Sequence, residues 1–383
     1  MAGKDSEHEA RVARKAKQLR VAFSDYQAAV TLISSVEAWL EHEWGADGRT
    51  EPNRLTRFNR FPVLAIHGAG ASGEDAPVER NLTPDFMAYF VTPYVLCGEH
   101  KKTFRTGRAA RDDVQQVAAY SQWRPPADGE GREPGYDVLL LVSMESDEAA
   151  VAEIARAAAS VDVASTSGAP IVVTGFFKDA ERSTGEWYTL KWRGIAGNSR
   201  FTEPNVTSTP GQKDLNSLLT RQQHLAIRVD KPALDLSGRC PLINDEPPPA
   251  YTVARVIIPA LNSLLTEDDR DALLLTGKVI KALSRHDILS VPVLMSLNPP
   301  EGYIQKALDW LVSRGLAREF SDARPPTYEI TIEWETLKKD LADVLSEKEA
   351  RAILREMKLR RQRRDRKRRD ARGQLPLFTG QQS

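Results

Sequence analysis

Along the first half of the chain the apolar positions switch between a helical rhythm and a strand rhythm, and each switch marks an element. The run SDYQAAVTLISSVEAWLEHEW (24–44) carries an apolar stripe through Val30, Ile33, Val36 and Leu40, which predicts a helix capped by Ser24 or Asp25. FPVLAI (61–66) is strand-like. Phe86 to Phe90 and Tyr94 to Cys97 are rich in aromatic and β-branched residues, and Val91-Thr92-Pro93 between them predicts the turn of a hairpin. The helical rhythm returns in RAARDDVQQVAAYSQW (108–123), and YDVLLLVSM (136–144) is apolar enough for a strand buried on both faces. An alanine-rich amphipathic helix follows in DEAAVAEIARAAAS, then a strand in APIVVTGFF with a hairpin partner in WYTLKWR. This order predicts an α/β domain over 23–230, a mixed sheet flanked by helices.

Beyond it the pattern changes. Residues 205–231 are polar and follow neither rhythm, and the proline cluster of LSGRCPLINDEPPPAY predicts a linker over 231–250. A second domain is expected over 251–340. Within it TEDDRDALLLTGKVIKALSRHD reads as one helix, VPVLMSLN as a short one and PEGYIQKALDWLVSRGL as a longer one ending at Gly315. LAREF and TYEITIEW then supply a strand, a turn and a strand. Residues 1–22 read as a polar extension, and 341–373 as a basic helical or disordered tail.

Composition narrows the classes. The chain has 383 residues with 53 basic and 53 acidic side chains, yet the stretch Arg351–Arg372 is dominated by arginine and lysine. A neutral protein with one strongly basic segment is still drawn to a polyanion through that segment. No run of about 18 apolar residues exists, and the polar start of the chain has no signal-peptide core, so a cytoplasmic protein away from the membrane is expected. Cys97 and Cys240 are too few and too far apart for a metal cluster of their own. There is no glycine-rich phosphate loop and no nucleophile elbow.

The predicted hairpin changes the picture most. A fold-back centred on Thr92 sets Asp85 opposite Glu99, where directly opposed side chains lie about 5 Å apart at Cβ and like charges repel. A divalent cation is the natural compensation. Alternation along the strand puts Glu99 and Lys101 on one face and His100 on the other. Downstream, Gln116 and Tyr120 are one helical turn apart on one face.

Pro84-Asp85 and Glu99-His100-Lys101 resemble the signature of the PD-(D/E)xK nuclease superfamily, and Gln116 with Tyr120 resembles the Gln-x-x-x-Tyr element of its RecB-type branch. The resemblance covers Thr83 to Tyr120 and implies a restriction-endonuclease-like fold. Asp85 and Glu99 would then hold Mg²⁺, with Mn²⁺ as a substitute, since both are hard oxygen ligands. Lys101 would serve the attacking water or the transition state, with Gln116 and Tyr120 positioning the phosphate or the lysine. The family also carries an acidic residue or histidine on a preceding helix; Glu37, beside the apolar stripe, is the candidate, with His67 and Glu79 as rivals. The lack of a cysteine cluster excludes the iron–sulfur members of that branch.

The second domain resembles a winged helix. The exposed face of its third helix, with Tyr303, Gln305 and Lys306, would meet DNA while Ile304, Leu308 and Leu311 pack inward. Gln374-Leu375-Pro376-Leu377-Phe378 resembles the peptide with which bacterial replication and repair proteins bind the sliding clamp, Gln374, Leu375, Leu377 and Phe378 being the anchors. The expectation is a Mg²⁺-dependent DNA nuclease of repair, recombination or replication-linked processing. A defence or restriction endonuclease and an inactive DNA-binding adaptor stay open, as does a homodimer.

Overall fold

A computed structural model describes residues 2–45, 55–67, 79–91, 93–104, 111–127, 129–143, 147–160, 169, 171–179, 186–196, 225–229, 241–276, 278–320, 326–333 and 341–373. The chain divides into two compact units: Tyr26–Pro247 with Leu289–Tyr303, and Met1–Asp25 with Pro248–Ile288 and Ile304–Ser383.

The first unit is built on a mixed seven-stranded sheet. Its strands are β1 (Leu55–Asn59), β4 (Phe86–Phe90), β5 (Tyr94–Lys101), β6 (Gly135–Ser143), β7 (Ile171–Asp179), β8 (Glu186–Ala196) and β9 (Leu225–Val229), which lie side by side in that order. Among the described residues β2 (Leu64–His67) and β3 (Glu79–Leu82) pair only with each other. β5, β6 and β7 run parallel, whereas β1, β4, β8 and β9 extend the sheet in antiparallel pairs. The parallel centre explains the unbroken apolar run of β6, whose residues from Tyr136 to Val142 are all buried. Its one ionisable exception, Asp137, is fully enclosed and accepts a hydrogen bond from the Tyr94 hydroxyl at 2.8 Å. Helix α2 (Arg111–Gln122) packs against β6, and α3 (Asp147–Ser160) against β6, β7 and β8. Val117 and Tyr120 of α2 and Ala150 and Ile154 of α3 join Cys97, Val138, Leu140 and Val142 in one core.

The hairpin β4–β5 has the register that a fold-back at residue 92 dictates, with Phe86 paired to Gly98, Met87 to Cys97, Ala88 to Leu96 and Tyr89 to Val95. Thr92 itself lies outside the described residues. Gly98 is required by packing, because a Cβ there would come within 1.9 Å of the Phe86 ring. That ring is stacked on Phe58 at 4.9 Å.

In the second unit β10 (Lys278–Ser284), β12 (Thr327–Glu333) and β11 (Ala317–Phe320) form an antiparallel sheet in that order. Helices Glu267–Thr276, Arg285–Leu289 and Glu301–Ser313 fall between the strands or beside them in sequence, the last crossing from one unit to the other at Ile304. Helix Glu301–Ser313 buries Ile304, Leu308 and Leu311 and ends as expected at Gly315, whose φ is +66°. Leu316 N–H closes the end on the Leu311 carbonyl at 2.9 Å.

Two expectations about elements are corrected. The run 266–287 is not one helix: it contains helix Glu267–Thr276, strand β10 and the short helix Arg285–Leu289. Pairing along its whole length with β12 holds β10 extended, outweighing a local apolar spacing that suits a helix. Nor does the first helix start at a Ser24 or Asp25 cap. Helix α1 runs from Ala2 to Gly45, because a narrow stripe at Val12, Ala16, Leu19 and Phe23 continues the one that begins at Tyr26. Within the second unit Val12 and Ala16 pack on Ala350, with Leu19 and Leu354 beside them. Residues 341–373, expected as helix or disorder, form a helix. No described helix is long and apolar enough to cross a membrane.

Candidate active site

Asp85 stands immediately before β4, one register step beyond the Phe86–Gly98 pair and so in line with Glu99 of β5, and both residues are buried, 3 % and 4 % exposed. Asp85 is held by its neighbour strand: the His100 N–H donates to its Oδ2 at 2.6 Å. Alternation on β5 gives Glu99 and Lys101 a common side, where the Lys101 ammonium meets Glu99 Oε1 at 2.7 Å. His100 packs its ring 5.2 Å from that of Phe176. Burial, then the nearby Lys101 and Lys102, press the His100 pKa down to about 4, so the imidazole is neutral.

Helix α2 completes the grouping. Lys101 Nζ donates to Gln116 Oε1 at 2.8 Å, and Gln116 Nε2 donates to the Tyr120 hydroxyl at 2.7 Å. The one-turn spacing of Gln116 and Tyr120 thus produces a relay of fixed dipoles that ends on the lysine. Tyr120 is fully buried, and its carbonyl accepts from the Tyr136 hydroxyl of β6 at 2.9 Å, which anchors the relay in the sheet.

The electrostatics are those of an under-compensated acidic site. Burial, followed by repulsion from Glu99 and Asp245, raises the Asp85 pKa well above the usual carboxylate range. Burial, with the charge of Asp245, also raises Glu99, against the opposing pull of Lys101 and of the nearby Tyr120 hydroxyl. Desolvation works against charge on Lys101, but Glu99, Asp85 and Asp113 outweigh it and hold the ammonium protonated. One lysine therefore faces several carboxylates. Glu99 Oε2 is buried without a hydrogen-bond partner, a costly state for a carboxylate oxygen unless something cationic or a donor arrives. Paired carboxylates with a vacant buried oxygen fit a hard divalent cation, which needs only one or two protein carboxylates. Among the described residues no group of three or more His, Cys, Asp or Glu side chains is already gathered around such a point.

Glu37 is placed otherwise. On α1 it is ion-paired to Arg60, which is buried and also donates to Ser34 Oγ at 2.9 Å. His67 and Glu79 face each other in the register of the separate β2–β3 pair. A further acidic residue whose charge bears on Asp85 and Glu99 is Asp245, from the proline-rich stretch expected as a linker, where no local pattern marks it. The adjoining Asn244 ties this segment down, its Nδ2 donating to the carbonyls of Pro62 at 2.9 Å and Pro84 at 2.8 Å.

Of the expected DNA-facing residues, Tyr303 donates its hydroxyl to the Asn244 carbonyl. Burial and the charges of Asp245, Glu246 and Asp85 push its pKa up to about 12. Gln305 Nε2 reaches Asp309 Oδ1 and the Tyr328 hydroxyl, both at 2.8 Å, and Lys306 is exposed. Gln374, Leu375, Leu377 and Phe378 lie outside the described residues. No protein-family model, no curated protein and no solved structure matches this chain.

Proposed function

We propose that this protein is a Mg²⁺-dependent deoxyribonuclease with a PD-(D/E)xK site, hydrolysing DNA phosphodiesters in repair, recombination or replication-linked processing in the cytoplasm. The observation that carries the reading is the face-to-face burial of Asp85 and Glu99 with Lys101 locked between Glu99 and Gln116. A charged trio that was only decoration would be solvated; here the two carboxylates are buried and the lysine is only partly exposed, at an energetic cost that a function explains.

Asp85 and Glu99 would hold the cation, which supplies charge neutralisation at the phosphodiester and lowers the pKa of water. Lys101 offers a protonated ammonium whose direction is fixed by Gln116, so it meets charge developing on the phosphate without reorganising. Tyr120 holds Gln116 in place and, with its hydroxyl pKa raised by burial and by Glu99, stays a neutral dipole. His100 lies on the alternate face of β5.

Delivery to DNA is assigned to the remaining segments. Over 267–333 helix Glu267–Thr276, strand β10, the short helices Arg285–Leu289 and Pro292–Leu297, helix Glu301–Ser313 and strands β11 and β12 follow one another, and with the sheet β10-β12-β11 this order supports a winged helix with a split second helix. The arginine-rich part of helix Leu341–Gly373 supplies sequence-independent affinity for the phosphate backbone. The terminal Gln374–Phe378 peptide would recruit the protein to a sliding clamp.

Supercoiled plasmid incubated with Mg²⁺ or Mn²⁺ tests the assignment. Wild-type protein is expected to nick or linearise it, and Asp85→Asn and Lys101→Ala to leave it intact; cleavage surviving both substitutions would refute the site.

A further inference from the structure

The segment Pro241–Pro247 belongs by sequence to a proline-rich connection, yet it is one of the most firmly tethered stretches near the site. Leu242 and Ile243 are fully buried. The Tyr26 hydroxyl accepts from the Ile243 N–H at 3.1 Å and lies 3.3 Å from the Asp245 carbonyl. Asn244 Nδ2 bridges the carbonyls of Pro62 and Pro84, and the Tyr303 hydroxyl donates to the Asn244 carbonyl. Pro84 is the residue immediately before Asp85, so these bonds fix the backbone of residue 245 beside the entry to β4.

The tether leaves one group unused. The Asp245 side chain is exposed and carries no hydrogen bond or ion pair among the described residues, although its charge is felt by both Asp85 and Glu99. An anchored backbone with a carboxylate free to change rotamer suits a ligand that closes on an arriving cation. Glu99 Oε2 is buried with no hydrogen-bond partner. The helix-borne alternative, Glu37, already has Arg60 as its counter-ion.

We propose that Asp245 is the third carboxylate of the site, a ligand on its solvent side for the divalent cation that Asp85 and Glu99 hold from within. The proposal rests on the reading of the site as a metal-dependent nuclease centre. Three carboxylates against one lysine make a site that is strained when empty and neutralised when a dication enters. The tethering prolines and Asn244 then have a purpose beyond connection: they bring a residue from far downstream in the chain to the lip of the hairpin.

The test is Mn²⁺ binding to the full chain measured by calorimetry, independent of any cleavage. Asp245→Asn keeps the shape of an exposed side chain, so folding is not at stake. It is expected to weaken Mn²⁺ by about tenfold or more, and Asp85→Asn to weaken it at least as much. If Asp85→Asn weakens binding while Asp245→Asn matches wild type, Asp245 is not a ligand and the nuclease site stands without it. If wild-type protein takes up no Mn²⁺, the proposal and the nuclease reading fall together.

Discussion

Two buried carboxylates of the first unit, Glu37 and Glu99, each meet a cation, and the difference between the pairs separates structure from chemistry. Glu37 is matched by the guanidinium of Arg60, which is buried and braced by Ser34. Glu99 is matched by Lys101, which is partly exposed and shared with Gln116, while one Glu99 oxygen has no partner and Asp85 faces it. The first pair sets one cation against one carboxylate. The second is short of positive charge and holds its cation by a flexible stem, as a site that awaits a ligand does.

The comparison can be broken from either side. Glu37→Gln should leave Arg60 charged and buried without its partner, costing about 3–5 kcal/mol of stability. Urea denaturation measures that loss, while kcat of the folded fraction should hold; reduced kcat at unchanged stability would return Glu37 to the metal site. Lys101→Ala should do the reverse, lowering kcat by about 10²–10³-fold with little change in melting temperature. Next in size is Gly98→Ala. The new methyl would strike the Phe86 ring, which Phe58 backs, for a cost of about 1–3 kcal/mol. The double variant with Phe86→Leu should recover part of it, and an unchanged melting temperature in the single variant would show that the ring yields freely.

The smallest effect is one of pH. Asp85 has a native pKa raised above its unfolded value, so in the window between the two the native state binds more protons than the unfolded one. Its contribution is therefore fully present below the ordinary carboxylate range and is lost as pH rises through the raised native value. Metal-free protein should lose stability over that window, and Asp85→Asn should flatten the slope. Glu37→Gln should leave the slope as it is, and a wild-type profile that rises instead would contradict the repulsion between Asp85 and Glu99.

What was legible in the sequence is what is local in the chain. The hairpin turn fixed its own register, so the opposition of Asp85 to Glu99 followed from residue numbers, and the helical spacing of Gln116 and Tyr120 followed in the same way. Ion pairs across long separations leave no such mark: nothing near Glu37 announces Arg60, and nothing near Asp85 announces Asp245. The strand β10 was hidden for a related reason. Val279, Ile280 and Leu283 satisfy a helical stripe, and only the distant β12 decides in favour of extension. The first half of helix α1 escapes the sequence pattern because it buries only a stripe of small and few apolar residues, Val12 and Ala16, among many charges.

The bond from the His100 amide to Asp85 Oδ2 carries a final consequence. It makes the carboxylate the last rung of the hairpin ladder, standing in for a backbone acceptor where the chain departs from the sheet. One oxygen thus stitches the two strands together. An alanine at this position would remove a seam along with the proposed ligand, and asparagine, which keeps an acceptor for the rung, is the cleaner incision.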